Sequence, residues 1–248
     1  MIPWALRSLL AVCLLLLLMR SDCFGQEDSQ TASKQNNTAA VAQPESTLER
    51  VRDVPIVWLI GPYIPSSGPF LPLNNQQRAE VYVRQTFFTA GAYAERLFAA
   101  GIDQARGSPA RWGGGMGGYG LRFGNRYGQF MIANTFHSVG NAALGYEPRY
   151  DFCRCTGFWP RTRHAIVRNF VTYDRTEHEL RPAVPLYAGS FGAGMLSSVW
   201  LPGRRNPWAE GGYAALEQAG FGSAYNWVSE FAIDILHKVT HNRYPQTP

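Results

Sequence analysis

Three stripes of small residues, repeated at helical spacing, constrain the fold of this chain more than any other feature. In the first stripe, Gly120, Gly124 and Gly128 fall on one face if the segment is helical. Each glycine costs roughly 1 kcal/mol of helix propensity relative to alanine, so such a stripe is expected where another backbone approaches closely. The sequence therefore predicts tight helix packing, within the chain or between copies. The other two stripes include Gly189 and Gly192, and Gly211 and Ala215.

Helix signals recur from Asn74 onward and predict an all-α fold, a single bundle of about five helices. Asn74 or Asn75 can cap the first helix. Apolar residues then recur at helical spacing until Gly101 or Gly107 ends the run. The second predicted helix follows a flexible lead-in at Gly113–Gly118 and ends at about Leu144, and the third runs from a cap at Thr162 to about Tyr173. The fourth covers Leu186–Leu201. The last begins at Asn206-Pro207 and ends at about Thr240, with a break near Gly220–Gly222.

Composition divides the chain into five parts. Residues 26–53 are polar and lack aromatic side chains, so they cannot bury enough apolar surface to offset chain entropy and are predicted to be a disordered lead. Prolines recur through residues 54–73, which argues against a regular helix and predicts an extended strap. The predicted parts are a signal peptide at 1–25, the lead at 26–53, the strap at 54–73, a helical domain at 74–241 and a tail at 242–248.

The N-terminus has the pattern of a secretory signal peptide. Arg7 supplies a positive charge, and Leu9–Met19 is a nearly unbroken apolar run. Cys23 and Gly25 form a small-residue cleavage site. An uncleaved anchor is the alternative, although this run is shorter than the roughly 20 residues that span a bilayer. The protein is therefore expected to be exported and associated with the periplasm or the outer membrane.

The charge of the chain narrows its expected partners. The full sequence carries a formal net charge of +5 at pH 7 and remains positive without residues 1–25. Nucleic acid is not an expected partner of an exported protein, whereas an anionic lipid or an acidic envelope polymer suits a basic surface. Residues 182–203 carry no formal charge, which predicts a buried helix or, alternatively, partial membrane insertion. A homo-oligomer formed through the small-residue faces is the other expected assembly.

The mature region keeps one pair of cysteines, Cys153 and Cys155, separated by Arg154. A disulfide requires Cα atoms within about 4.4–6.8 Å and suitably directed Cβ atoms, which a spacing of this kind satisfies only in a narrow geometry. Free thiols, a local disulfide and a catalytic pair are therefore three alternatives at this position.

The C-terminal helix carries the only pattern that suits a metal ion. Glu230, Asp234, His237 and His241 follow one face at i, i+4, i+7 and i+11. Carboxylates and imidazoles at this spacing can bind a divalent cation. The alternative is a solvated polar face whose basic residues interact with the helix C-terminus. The alternative is favoured, and no cofactor is predicted.

Two histidines are candidates for acid–base chemistry. His137 lies between Asn134 and Asn141 on the central predicted helix, and His164 lies in the helix predicted to begin at Thr162. A buried histidine polarised by a carboxylate can act as a general base. A hydrogen-bonded core histidine is the alternative.

Arginines concentrate in the connection that follows the central helix. Arginine binds phosphates bidentately, and aromatic side chains lie at membrane interfaces, so this segment is a candidate site for an anionic head group. Ion pairs within the chain are the alternative. The candidate ligands are Arg149, Arg154, Arg161 and Arg163.

Several short motifs resemble those of a family of uncharacterised exported bacterial proteins with a glycine-rich helical core. They are Arg122–Gly128, Glu147–Tyr150, His164-Ala165 and Phe191–Met195, within a region from roughly Asn74 to Val239. The resemblance implies an exported helical protein and no particular activity. The pair Cys153 and Cys155 departs from the family pattern.

These observations favour an exported, envelope-associated helical protein with a structural or interaction role over an enzyme. A lipid-binding or small-ligand-binding envelope protein is the first alternative. An envelope enzyme that uses His137 or His164 is the second.

Overall fold

Helices account for most of the structure. The computed structural model describes residues 56–67, 70–175 and 179–239, all within the compact unit Glu45–Pro248. The predicted signal peptide, the disordered lead and the tail lie outside these residues. The prediction of a mostly helical protein is confirmed. The helices are α1 Asn75–Phe87, α2 Ala90–Ala105, α3 Gly115–Leu144, α4 Phe158–Val167, α5 Val184–Ser197, α6 Pro207–Glu217, α7 Ser223–Glu230 and α8 Ala232–Val239.

Two short strand pairs accompany the helices, so the fold is not purely α-helical. β1 (Tyr63–Ile64) lies parallel to β2 (Tyr150–Asp151). β3 (Val171–Tyr173) lies antiparallel to β4 (Leu180–Pro182). Their length of two or three residues explains why no alternating pattern announces them in the sequence.

The predicted extended strap is wrong in part, because residues 56–60 are helical. Pro62 follows this helical segment and does not interrupt it, so the missing N–H of proline costs no helical hydrogen bond. The strap then continues into β1, as an extended chain.

Two predicted helix starts are confirmed by their caps. The Asn74 side chain accepts from the Gln77 backbone N–H at 2.9 Å, and the Gln77 side chain accepts from the Asn74 N–H at the same distance. The Asn206 side chain accepts from the Trp208 N–H at 3.1 Å, with Pro207 in the first turn. These caps fix where α1 and α6 begin.

The first predicted helix is two helices. α1 ends at Phe87 and α2 begins at Ala90, because Thr89 has an extended backbone with φ −110° and ψ 113°. The Thr89 hydroxyl donates to the Arg84 carbonyl at 2.9 Å, which stabilises the break. Apolar spacing continues across this point, so periodicity does not reveal it.

The glycine-rich segment before the central helix is not the flexible lead-in that the sequence predicts. α3 begins at Gly115, and the buried side chain of Arg122 fixes the turn before it. The Arg122 guanidinium donates to the carbonyls of Ser108 at 2.8 Å, Pro109 at 3.1 Å and Gly113 at 2.9 Å. A buried cation that satisfies several backbone carbonyls holds them in a single conformation.

The helix predicted from Thr162 to Tyr173 is shorter and begins earlier. α4 covers Phe158–Val167, and Tyr173 belongs to β3. Pro160 lies in the first turn of α4, where a helix tolerates proline because the first N–H groups have no helical acceptor.

The interior of the described region is small and polar. Its largest fully buried side chains are Arg122, Glu230, Asn141, Thr86, Thr89 and Ser197. Most of the buried apolar residues are alanines. Large apolar side chains lie outside instead: Val199 is 83% exposed, Trp159 76% and Trp208 69%. Within the described region, no helix combines the length and the apolar character needed to cross a membrane.

Candidate functional site

A cavity of about 210 Å³ lies at the centre of the helical region. α2, α3, α5 and α7 contribute to its wall, together with the connection between α3 and α4. Aromatic and aliphatic side chains form part of the lining, but polar side chains converge on it as well. The polar residues that matter below are Asn134, His137, Glu147, Asn169, Ser190, Gln218 and Ser229.

The charged groups of the wall are already neutralised by partners. The Glu147 carboxylate, which is buried, accepts from Arg149 Nε at 2.6 Å. Arg168 pairs with Asp151 and stacks on the Tyr173 ring at 4.7 Å. Because these charges are paired, the cavity presents mainly neutral donors and acceptors to an occupant.

His137 is held in its neutral form. Burial lowers the pKa of His137 to about 4, because desolvation penalises the imidazolium. The Asn141 side-chain amide lies 2.8 Å from His137 Nε2 and donates to it, which places the imidazole proton on Nδ1. A neutral histidine hydrogen-bonded to an amide corresponds to the core alternative for His137, and no carboxylate within the described region bonds its ring.

One side chain of the cavity wall has no hydrogen-bond partner. Ser229 is buried, and its hydroxyl contacts no acceptor or donor among the described residues. Its neighbours in the wall are satisfied: the Asn134 amide donates to the Thr86 hydroxyl at 2.6 Å, for example. A buried hydroxyl without a partner costs about 1–3 kcal/mol, so this position favours a bound water or ligand.

Asn169 joins three elements at the floor of the cavity. Gln218–Gly222 form a π-helical segment between α6 and α7. The Asn169 amide donates to the Gln218 carbonyl at 3.1 Å and to the Ser223 hydroxyl at 3.2 Å, and its oxygen accepts from the Gln218 side chain at 3.2 Å. A π-turn frees backbone carbonyls, and here a side chain satisfies them.

The candidate metal ligands take an arginine instead. Glu230 accepts from Arg161 Nε at 3.0 Å, from the Tyr150 hydroxyl at 2.8 Å and from the Cys153 N–H at 3.2 Å. Asp234 accepts from Arg161 Nη1 at 2.6 Å. Burial and the Glu230 carboxylate both raise the pKa of Tyr150, so it stays a donor. The described residues hold no cluster of three or more histidine, cysteine, aspartate or glutamate side chains suited to a metal.

The side chain of His237 and the whole of His241, the two histidines of that pattern, lie outside the described residues.

The four arginines predicted to bind a head group do not form one anion site. Arg149 pairs with Glu147, and Arg161 pairs with Glu230 and Asp234, so both cations are already neutralised. Arg154 is exposed and Arg163 half-buried, and both have interactions within the chain. For Arg149 and Arg161, the structure shows the alternative to head-group binding, which is ion pairing within the chain.

His164 lies outside the cavity wall, on α4. Its Nε2 donates to the Asp151 backbone carbonyl at 2.8 Å and lies 3.6 Å from the Asp151 carboxylate, which also pairs with Arg168. The structure therefore does not bring His164 and His137 into one catalytic arrangement. An enzyme that uses either histidine stays a prediction.

Cys153 and Cys155 form a disulfide, with their Cα atoms 5.1 Å apart. Of the three alternatives left by the sequence, the local disulfide is the one observed. It lies between β2 and α4.

The glycine stripes meet different surroundings. A Cβ placed on Gly120, Gly124 or Gly128 would find no other atom within 4 Å, so close packing within the described chain is wrong for this stripe. The same holds for Gly192. A Cβ on Gly189 would lie 2.6 Å from a carbonyl of α3, and one on Gly211 would lie 2.9 Å from a carbonyl of α5. Ala215 is half-buried in α6.

Sequence reasoning missed three residues of the site, Asn169, Gln218 and Ser229, and it also missed the structural role of Arg122 at the start of α3. A charged residue such as Arg122 within an otherwise glycine-rich apolar helix is a signal that can be read from sequence alone. The roles of the other three depend on contacts between distant segments.

Comparison with models of known protein families, with curated proteins and with solved structures gives no match to this chain. The resemblance to exported bacterial proteins is therefore untested, and it stays a prediction.

Proposed function

We propose that this is an exported, envelope-associated interaction protein that docks on a lipid surface through exposed apolar side chains. The observation that carries the proposal is the distribution of side chains: alanines and polar groups make up most of the interior, and many large apolar groups are exposed. In water, extensive exposed apolar area marks an interaction surface. Transfer of these side chains from water to lipid is favourable.

The turn between α5 and α6 is the strongest candidate for the docking surface. Val199, Trp200 and Trp208 are exposed there, and Arg204 is exposed between them in the chain. Tryptophan concentrates at membrane interfaces, and arginine binds lipid phosphates. Trp200 Nε1 donates to the Asn125 side chain at 2.8 Å, which fixes the turn against α3. We call residues 196–208 the hairpin tip.

Two further features support the proposal. The disulfide Cys153–Cys155 is typical of a protein that reaches an oxidising compartment, as the predicted signal peptide implies. The small residues Gly189 and Gly194 allow α5 to lie close to α3 and α6. Close packing of three helices through glycine and alanine would present the hairpin tip as a rigid unit, and this Gly/Ala packing is part of the proposal.

Flotation with lipid vesicles tests the docking surface. We expect the purified protein to float with vesicles of phosphatidylethanolamine and phosphatidylglycerol, and Val199→Gln with Trp208→Gln to weaken binding by about tenfold or more. Val184→Gln is the matched control, since Val184 is 58% exposed at the opposite end of α5. Wild-type protein that stays monodisperse in water and ignores these vesicles would overturn the proposal. If Val184→Gln weakens vesicle binding as much as the double change at Val199 and Trp208 does, the hairpin tip is not the docking surface.

A second candidate function, binding of a small uncharged ligand, rests on the cavity. Ser229, whose hydroxyl has no partner, lines a cavity whose charged groups are paired, so an occupant with a neutral hydroxyl, carbonyl or amide group suits it. Native mass spectrometry of protein purified without harsh treatment detects a retained small molecule directly.

Ser229→Ala separates an occupied cavity from an empty one. If an occupant bonds the hydroxyl, the substitution should lower the free energy of unfolding by about 1 kcal/mol; if nothing does, it should raise it. Ser197→Ala is the control, because the buried Ser197 hydroxyl donates to the Gly194 carbonyl at 2.7 Å and its loss is destabilising in either case.

A further inference from the structure

The disulfide Cys153–Cys155 contributes little to holding the fold together. It closes a loop between residues only two positions apart. A disulfide stabilises mainly by restricting the unfolded chain, and that effect grows with loop length, so this bridge is among the least effective possible. Its presence calls for a reason other than stability.

The segment that carries the bridge is fixed by noncovalent contacts. Tyr150 pairs with Tyr63 across β1 and β2, and Phe152 is buried. The Cys153 N–H donates to Glu230, whose side chain is only 1% exposed, at 3.2 Å. Opening the bridge would therefore leave Cys153 held in place by its backbone.

The bridge lies at the protein surface. Cys153 and Cys155 are both half-buried, and residues 154 and 156–160 around them are exposed. Phe158 and Trp159 follow directly, with ring centroids 5.2 Å apart and edge-to-face geometry. Exposed aromatic rings of this kind bind apolar segments of an unfolded polypeptide.

The surroundings stabilise negative charge on one of the two sulfurs. The Cys155 backbone N–H donates to Cys153 Sγ at 3.3 Å. A hydrogen bond to sulfur favours a thiolate over a thiol, which makes Cys153 the better leaving group.

We propose that the Cys153–Cys155 disulfide is a thiol–disulfide exchange centre that oxidises cysteine pairs of unfolded polypeptides. A substrate thiolate attacks Cys155 Sγ, forms a mixed disulfide and releases Cys153 as a thiolate. The second substrate thiolate attacks the substrate sulfur of that mixed disulfide and releases Cys155. The substrate loses two electrons and two protons and gains one disulfide, while the cysteine pair becomes a dithiol. A small-molecule disulfide, such as glutathione disulfide, regenerates the bridge and is reduced to two thiols.

This activity does not depend on lipid docking, so it is tested without vesicles. Reduced, unfolded ribonuclease A is mixed with an excess of the full-length protein under nitrogen, with a chelator present. We expect each chain to remove one pair of substrate thiols, and added glutathione disulfide to allow repeated turnover. Acid quenching followed by peptide mapping should find the mixed disulfide on Cys155. Failure of the wild-type protein to oxidise the substrate would overturn the proposal without recourse to any variant.

Variants separate exchange from a structural role. Cys153→Ser with Cys155→Ser should abolish oxidation while the circular dichroism spectrum is retained. Trp159→Ser should slow oxidation of the polypeptide by about tenfold and leave oxidation of dithiothreitol unchanged, because only the polypeptide uses the aromatic rings. Trp58→Ser, which changes another exposed tryptophan, should leave both rates unchanged. Oxidation that persists in the double cysteine variant would contradict the assignment.

Discussion

In α5, Gly189 and Gly194 each lie against the backbone of a neighbouring helix, whereas in α3 a Cβ on Gly120 or Gly124 would meet no atom of the described residues within 4 Å. Both helices carry glycines at helical spacing, and the sequence predicts the same close packing for both. A stripe of glycines makes a smooth face, but only the path of the rest of the chain decides whether another backbone lies on it. The difference shows that glycine spacing predicts a shape and not a contact.

The largest effect is expected at Gly194. A Cβ there would lie 2.4 Å from the Glu210 carbonyl oxygen and 2.7 Å from Ala214 Cβ, so Gly194→Leu forces α5 and α6 apart. We expect the free energy of unfolding to fall by about 3 kcal/mol or more, measured by urea denaturation. Gly192→Leu in the same helix is the control and should cost much less, since its Cβ would meet no atom within 4 Å in the described region. Equal losses at the two positions would break the comparison.

His137, which lies at the contact between α3 and α5, should make stability depend on pH. Burial lowers the pKa of His137 to about 4 from the ordinary 6.5, so the unfolded chain binds this proton more readily than the folded protein does. The contribution is fully present above pH 6.5 and is lost as the pH falls towards 4, by at most about 3 kcal/mol. His137→Gln should make the free energy of unfolding depend less on pH between pH 4 and pH 6.5. An unchanged pH profile would mean that the imidazole is charged or solvated in the folded protein.

Gly189→Ala should have an intermediate effect. The new methyl group would lie 2.6 Å from the Ala133 carbonyl oxygen and 3.2 Å from the His137 backbone nitrogen, and backbone atoms cannot move aside cheaply. We expect a loss of about 1–3 kcal/mol in thermal or urea unfolding. A neutral result would show that α3 and α5 can separate slightly without cost, so that the contact at Gly189 is less tight than the distances indicate.

The smallest effect, of opposite sign, is expected at Gly124. Alanine is the better helix former and meets no atom there, so Gly124→Ala should stabilise the monomer by about 0.5–1 kcal/mol. Sedimentation equilibrium on the wild-type protein and on Gly124→Ala measures whether either forms an oligomer. If the variant is less stable and dissociates where the wild-type protein does not, a second copy of the chain occupies this face of α3.

Local signals carried the predictions that are confirmed. The caps at Asn74 and Asn206 use side chains within three residues of the N–H groups that they accept from, so the sequence contains both partners. The break expected near Gly220–Gly222 is wrong, because a π-helical segment continues the helix there, although the glycines do mark the place where its geometry changes.

Contacts between distant segments could not be predicted in the same way. Glu230 appears in sequence as one of four candidate metal ligands, but its side chain meets Tyr150 and Arg161, far away along the chain. The Asn169 amide likewise acquires its role only when α7 lies beside it. Without those partners, a polar residue at helical spacing is compatible with a ligand, a surface and a core position alike.

The π-helical segment Gln218–Gly222 lets the C-terminal helices hold one more residue without a change of direction. In an α-helix, an added residue would advance everything after it by about 100°, whereas a π-turn accommodates one residue more than an α-turn. Because the wide turn absorbs the extra residue, Glu230 still points towards Tyr150 and Arg161. Deleting one residue here should therefore leave those contacts in place, and the Gln218 carbonyl that now accepts from Asn169 would return to an ordinary helical hydrogen bond.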